Sequence, residues 1–250
     1  MEVHSHTHHP THNKKLREYI LEFLMLFLAV FLGFIAENFR EHSVEHKKTR
    51  QYAQLLYDDL KKHTAKLSEV IYLKIWRVKK IDSLIELIKS PDLQKNASKI
   101  YYLNGFPELN FPFKPLDITI QQLRNSGTLR YFRNLQLYNT ITRYYNDCNL
   151  YLDIENESKI PIDLTSKIFD ADKLMSLISI TPNVMDAIHE PAKDVDYKLL
   201  NTNGLILNEY LLNISKIKLS NDLSIWLLHE NIEKDQRTLM DALREEFQVN

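Results

Sequence analysis

One cysteine, four glycines and eight prolines are all that these 250 residues hold of three structure-setting types. The lone cysteine, Cys148, excludes an internal disulfide and a thiolate metal set, and leaves the redox compartment open. Its expected place is that of a small buried hydrophobe within a helix. Glycine supplies tight turns and phosphate-cradling loops, so its scarcity favours helices over sheets. Charge of one sign is lacking too. The 32 Lys and Arg meet 33 Asp and Glu for a net charge of −1, so no field draws nucleic acid or an acidic substrate. Nor is there a Gly-x-x-x-x-Gly-Lys loop, a Gly-x-Gly-x-x-Gly, a His-Glu-x-x-His or a Gly-x-Ser-x-Gly. The adjacent carboxylates Asp58-Asp59 and Glu245-Glu246 belong on helix faces where neighbours diverge, and read as solvated charge. His189-Glu190 and His229-Glu230 are isolated. Catalysis needs convergent groups, and none are visible; the expectation is a protein without catalytic residues, cofactor or evident small-molecule substrate.

What the sequence does have is one long apolar run. From Phe23 to Ala36 no side chain is polar. Extended to Tyr19 and Phe39, the run covers 21 residues, about 31 Å of helix, enough to cross a hydrocarbon core. A cleaved signal would be shorter and would exit through a small-x-small site. Here the exit is Ala36-Glu37-Asn38-Phe39-Arg40, which continues as helix. The reading is a single-pass transmembrane helix over residues 17–39.

Ahead of it, residues 1–16 form a polar tail without periodicity, expected to be disordered. His4, His6, His8, His9 and His12 lie there and can capture Zn, Ni or Cu loosely. A built metal site needs fixed geometry and supporting hydrogen bonds, so a solvated tail is the better reading. Lys14, Lys15 and Arg17 precede the apolar run; Arg40, Lys47, Lys48 and Arg50 follow it. Three against four do not settle orientation by count. The first group is nearer the bilayer, and the expectation is N-terminus inside with the C-terminal domain periplasmic.

At about 100° per residue, Glu22, Ala29, Gly33, Ala36 and Arg40 fall within about 40° of one line on this helix. Small residues four apart let helix backbones approach closely. The stripe is therefore expected to pack against a second copy, with Phe23, Phe27, Phe31 and Phe34 toward lipid. A carboxylate facing lipid would be costly, which gives Glu22 a second possible role as the lining of a conduit.

Beyond the bilayer, no proline or glycine interrupts Glu37 to Lys89, and one helix is expected. Ala53, Leu56, Leu60, His63, Leu67 and Val70 step by three and four, a coiled-coil a/d seam with His63 as a tolerated polar position. Residues 40–70 thus read as a helical stalk and 71–250 as a soluble helical bundle. Ser90-Pro91 ends the helix. Residues 91–116 look irregular, with aromatic plugs at Phe106, Phe111 and Phe113. A short helix ends at Ser126-Gly127 with Gly127 in the left-handed C′ position, and a longer one runs from about Leu135 to Ile154. A shorter helical pattern surrounds Ile168 to Ile178. From about Tyr197 to Phe247 the pattern is one helix or two, with Asn203-Gly204 and Ser220-Asn221-Asp222 as the possible breaks.

Several of these segments resemble a family of uncharacterised single-pass membrane proteins common in Bacteroidota. The likeness rests on a Glu early and a Gly late in the membrane helix with its Ala36-Glu-Asn-Phe-Arg-Glu41 exit. Thr119-x3-Leu123-x2-Ser126-Gly127-x-Leu129 with Leu137-x3-Ile141-x2-Tyr144-Tyr145 adds to it, as does Leu239-x3-Leu243-x2-Glu246-Phe247. The resemblance implies a helical protein of the bacterial cytoplasmic membrane, with no activity to carry over. The expected function is an all-α, membrane-anchored scaffold or interaction protein, with a sensory role, in which the domain receives a signal that the stalk transmits, as a variant of it. Its expected partners are the lipid bilayer and a second copy or another envelope protein. The alternative is a subunit of an oligomeric ion or proton conduit built on Glu22.

Overall fold

No proline interrupts Leu16–Lys89, and in the computed structural model these 74 residues form a single helix, α1. The structure describes residues 16–157, 160–181 and 184–249. The remaining helices are α2 (Ala97–Asn104), α3 (Ile118–Asn125), α4 (Leu135–Glu157), α5 (Ile162–Ile168), α6 (Ala171–Ser176), α7 (Gly204–Trp226) and α8 (Lys234–Phe247). No strand occurs among the described residues; one antiparallel bridge joins Ile178 and Ile188. The all-α architecture expected from the sequence is the observed one. The His4, His6, His8, His9 and His12 tail lies outside the described residues.

The chain divides into two units, through Gln51 and from Tyr52 onward. In the first, α1 carries an 18-residue window of mean hydropathy 2.4, none of it buried. Phe23, Phe27 and Phe31 stack along one side, with ring centroids 6.3 and 5.9 Å apart. Glu22, Ala29, Gly33, Ala36 and Arg40 are all exposed, and Arg40 Nε donates to Glu37 Oε2 at 2.8 Å.

The second unit has two apolar clusters along α1. Ala53, Leu56, Leu60, Leu67 and Val70 pack with residues of α3, α4 and α8 and with Phe111 and Phe113. Ile81, Leu84 and Ile88 pack with α2, α5 and α7. The boundary expected at residue 70 is thereby corrected. The seam from Ala53 to Val70 packs against the chain's own helices, so the stretch from Tyr52 belongs to the bundle. An a/d stripe looks the same in sequence whether its partner is another chain or the same one.

Local chemistry explains the helix ends. Asn134 Oδ1 accepts from the backbone N–H of Gln136 and Leu137 at 3.0 and 3.1 Å to start α4. Asn203 Oδ1 accepts from Leu205 N–H to start α7. Gly127 has φ +68° and sits in the expected left-handed position after α3. The Ser126 hydroxyl completes this end, donating to the Leu123 carbonyl (3.4 Å) and accepting the Thr128 N–H (3.3 Å). Thr128 is buried, with its hydroxyl 2.7 Å from that of Ser126. Two local expectations fail. Helix α2 lies within the stretch read as irregular; its buried Ala97, Ile100, Tyr101 and Leu103 have helical spacing, but eight residues give a weak signal. Ser220-Asn221-Asp222 is no break, because α7 runs through it and Asn221 is buried. The irregularity comes later, as a π-helical turn over Leu227–Glu233. Ser224, Leu228, Ile232 and Gln236 are buried in steps of four, and the wider turn keeps them aligned.

Candidate functional site

The three- and four-residue stepping of α1 does not stop at Val70. It continues through Lys74 and Arg77 to Ile81, Leu84 and Ile88, all buried. Two cations therefore occupy positions where the helix otherwise presents aliphatic side chains, at the seam between the two apolar clusters. Lys74 is 0 % exposed and Arg77 6 %. Charges so placed need a counter-ion and hydrogen bonds. Glu155, from α4, takes Lys74 Nζ and lies 4.0 Å from Arg77 Nη2. Its Oε1 also accepts from Ser224 Oγ at 3.2 Å. Asn221 ties the pair together. Its Oδ1 accepts from Lys74 Nζ (3.2 Å) and from Arg77 Nη2, while its Nδ2 donates to the Lys74 carbonyl at 3.1 Å. Arg77 Nη1 reaches the Leu109 carbonyl. Aromatic faces close the cluster, with Lys74 5.2 Å from the Tyr151 ring centre and Arg77 5.5 Å from that of Phe111.

Burial pushes the Lys74 ammonium down to about 8, opposed by the Glu155 carboxylate. Burial also lowers Arg77, again against Glu155. One donor of this network has no acceptor among the described residues: Arg77 Nε, fully buried. Satisfaction of buried donors is the rule, so this atom marks the place where the network is incomplete.

Two cavities share part of their lining, and one of them borders Arg77. One of about 320 Å³ is bordered by Arg77, Glu155, Asn110 and Ser220. The other, of about 380 Å³, is mostly apolar and is bordered by Phe169, Leu174, Met175, Leu177 and Ile188 among others. Glu108, Leu109 and Ile162 line both. Gly105 lets the wall of the second approach closely, since a β-carbon there would lie 2.7 Å from Ile188 Cδ1.

A second buried polar group, His63, is a connector rather than a tolerated polar position. The Leu116 N–H donates to His63 Nε2 at 2.6 Å, so the ring proton sits on Nδ1 and donates to Tyr144 Oη at 2.9 Å. Burial drives His63 down to about 4, with Asp59 opposing and Lys62 assisting, and pushes the Cys148 thiol up to about 12. Cys148 is the buried small hydrophobe its sequence context suggests.

The residues singled out in the sequence are not gathered into one site. Glu22, Ala29, Gly33, Ala36 and Arg40 line one helix of the first unit. Asp58 and Asp59, read as solvated, are half-buried and accept from Gln54 (3.1 Å) and Thr119 (2.6 Å). His189 pairs with Ser179, and His229 with Glu233. Among the described residues no group of three or more His, Cys, Asp or Glu could hold a metal ion. Lys74 and Arg77 were open to detection by one signal, the continuation of the seam past Val70; Glu155 and Asn221, on α4 and α7, carried none. No known protein-family model, curated protein or solved structure matches the chain.

Proposed function

We propose that this is a single-pass protein of the bacterial inner membrane, anchored by the apolar part of α1, whose residues 52–250 serve recognition or assembly rather than catalysis. One observation carries the reading. The most apolar 18 residues of the chain are wholly unburied, whereas the core helix of a soluble protein with the same hydropathy would be covered. Lipid is the medium that suits fourteen consecutive side chains without a polar group, Phe23 to Ala36. The dense packing of the second unit favours a recognition domain, and its buried ions have structural partners rather than the exposed convergence that catalysis requires. The N-terminus is inside and the domain periplasmic, by the proximity of Lys14, Lys15 and Arg17 to the apolar run. Partners are the bilayer and another envelope protein or a second copy, met through the Ala29, Gly33 and Ala36 stripe. The Ser126-Gly127 segment and its flanking helices support kinship with the Bacteroidota family they resemble. Alkaline carbonate washing of membranes tests the anchor: the protein stays in the pellet, and release into the supernatant would refute it. In permeabilised cells, an impermeant maleimide should label a cysteine placed in α8 and not one at residue 5; the reverse would put the domain in the cytoplasm.

A further inference from the structure

We infer that the cavity of about 380 Å³ lined by α2, α5 and α6 binds a small apolar amine, whose ammonium pairs with Glu108. The lining divides by element. Helix α6 and the bridge that follows it contribute only apolar side chains, among them Leu174, Met175, Leu177 and Ile188. The polar side chains come from α2, the turn after it and α5. Most of that polarity is already engaged within the protein. The Tyr101 hydroxyl donates to the Lys198 carbonyl and accepts the Asp170 N–H. Asn104 Oδ1 accepts from the Tyr210 hydroxyl, and Ser166 Oγ donates to the Asp163 carbonyl at 3.0 Å. Thr165 adds a hydroxyl, which is neutral and does not select a charge. Glu108 differs from all of these. Among the described residues it is the one charged side chain bordering this cavity, and none of them gives its carboxylate an ion pair or a hydrogen bond.

The complement of an unanswered carboxylate beside an apolar wall is a cation on an apolar body. Arg77, which borders the neighbouring cavity together with Glu108, does not supply that cation. Its guanidinium is committed to the Leu109 carbonyl and Asn221, and lies 4.0 Å from Glu155. Helix α2 ends at Asn104, and the carbonyl end of a helix also favours positive charge. Volume decides the body. A cavity of about 380 Å³ is near the lower end of the roughly 300–1,000 Å³ range of small-molecule pockets. Gly105 marks its tight side, since a β-carbon there would lie 2.7 Å from Ile188 Cδ1. One phenyl ring or one branched chain on a short linker suits that space. A carboxylic acid of the same shape would set a like charge beside Glu108, and ethanolamine would leave the α6 wall uncovered. This assignment stands apart from the membrane anchor: loss of binding and release from the membrane are separate results.

Calorimetric titration of the full chain in a non-ionic detergent, with empty micelles as the blank, tests it. Phenethylamine, 2-phenylethanol and 3-phenylpropanoate share one apolar body and carry a positive, a neutral and a negative head. The amine should bind saturably. The alcohol should bind roughly threefold to fivefold more weakly, as an exposed ion pair allows, and the acid at least about tenfold more weakly. Glu108→Gln, at an exposed position, should bring the amine to within about twofold of the alcohol with the melting midpoint unchanged. Location is read separately by labelling the methyl groups of the five methionines with ¹³C. Met175 is the one methionine on this cavity wall, so the resonance that disappears in the Met175→Leu protein should shift as phenethylamine is added. Absence of saturable heat into the millimolar range would overturn the proposal. So would equal affinity for the amine, the alcohol and the acid, an unaltered preference for the amine in the Glu108→Gln protein, or a Met175 resonance that does not move.

Discussion

Lowering the pH from 7 to 4 should cost the second unit stability through one residue, His63. Its folded proton affinity is held down to about 4 from an ordinary 6.5, chiefly because the ring is buried. The unfolded chain therefore takes up the proton first. Stability is complete above pH 6.5, falls as pH drops through that value, and levels off near 4, where the folded ring also protonates. Each tenfold in proton affinity is about 1.36 kcal/mol, so the loss is capped at about 3 kcal/mol. That is a large share of the 5–15 kcal/mol typical of a domain. Protonation would also place a proton on Nε2, where the Leu116 N–H now donates, so the charged form loses a hydrogen bond as well. The comparison protein is His63→Gln, whose amide can accept from Leu116 and donate to Tyr144 but does not titrate. Urea unfolding of both proteins, followed by tryptophan fluorescence, gives two curves of stability against pH. Carboxylates that titrate below about pH 4.5 cancel in the difference. The wild type should gain about 3 kcal/mol relative to the variant between pH 4 and pH 7. Parallel curves would refute the claim that His63 is buried neutral.

Other outcomes follow from the same packing. Glu155→Ala leaves Lys74 and Arg77 buried against each other and should destabilise the second unit by roughly 3–5 kcal/mol in the same urea assay; Lys74→Met should cost less, since it removes a charge rather than stranding two. A β-carbon at Gly127 meets no atom within 4 Å, so only the left-handed backbone opposes substitution. Gly127→Val should therefore lower stability by roughly 1–2 kcal/mol, and Gly127→Asn by clearly less; equal melting points would contradict this. If the Ala29, Gly33 and Ala36 stripe is the contact between copies, Gly33→Leu should lower the oligomeric mass in native mass spectrometry and Phe27→Leu should not. Glu22→Gln should leave ion flux in reconstituted vesicles unchanged; a loss of flux would favour the conduit instead.

Sequence alone determined what depends on neighbours along the chain. The apolar run of α1, its end at Ser90-Pro91 and the left-handed Gly127 all follow from residue size, hydrogen-bonding capacity and backbone sterics within a few positions. The period of three and four was equally legible, and it marked Ala53, Leu56, Leu60, Leu67 and Val70 as a buried stripe. What buries that stripe was not legible, because an aliphatic face is indifferent to whether its cover belongs to the same chain. Tertiary structure decided that α3, α4 and α8 do so. It also decided the roles of the polar residues within the stripe. Lys74 becomes an ion pair only because Glu155, 81 positions later, and Asn221, 147 later, arrive beside it. His63 becomes a connector only because Leu116 and Tyr144 converge on its two ring nitrogens. A charge on a seam costs free energy in proportion to its burial and recovers it only through partners distant in sequence. Local reading can locate such a residue, but only the packed fold supplies what answers it.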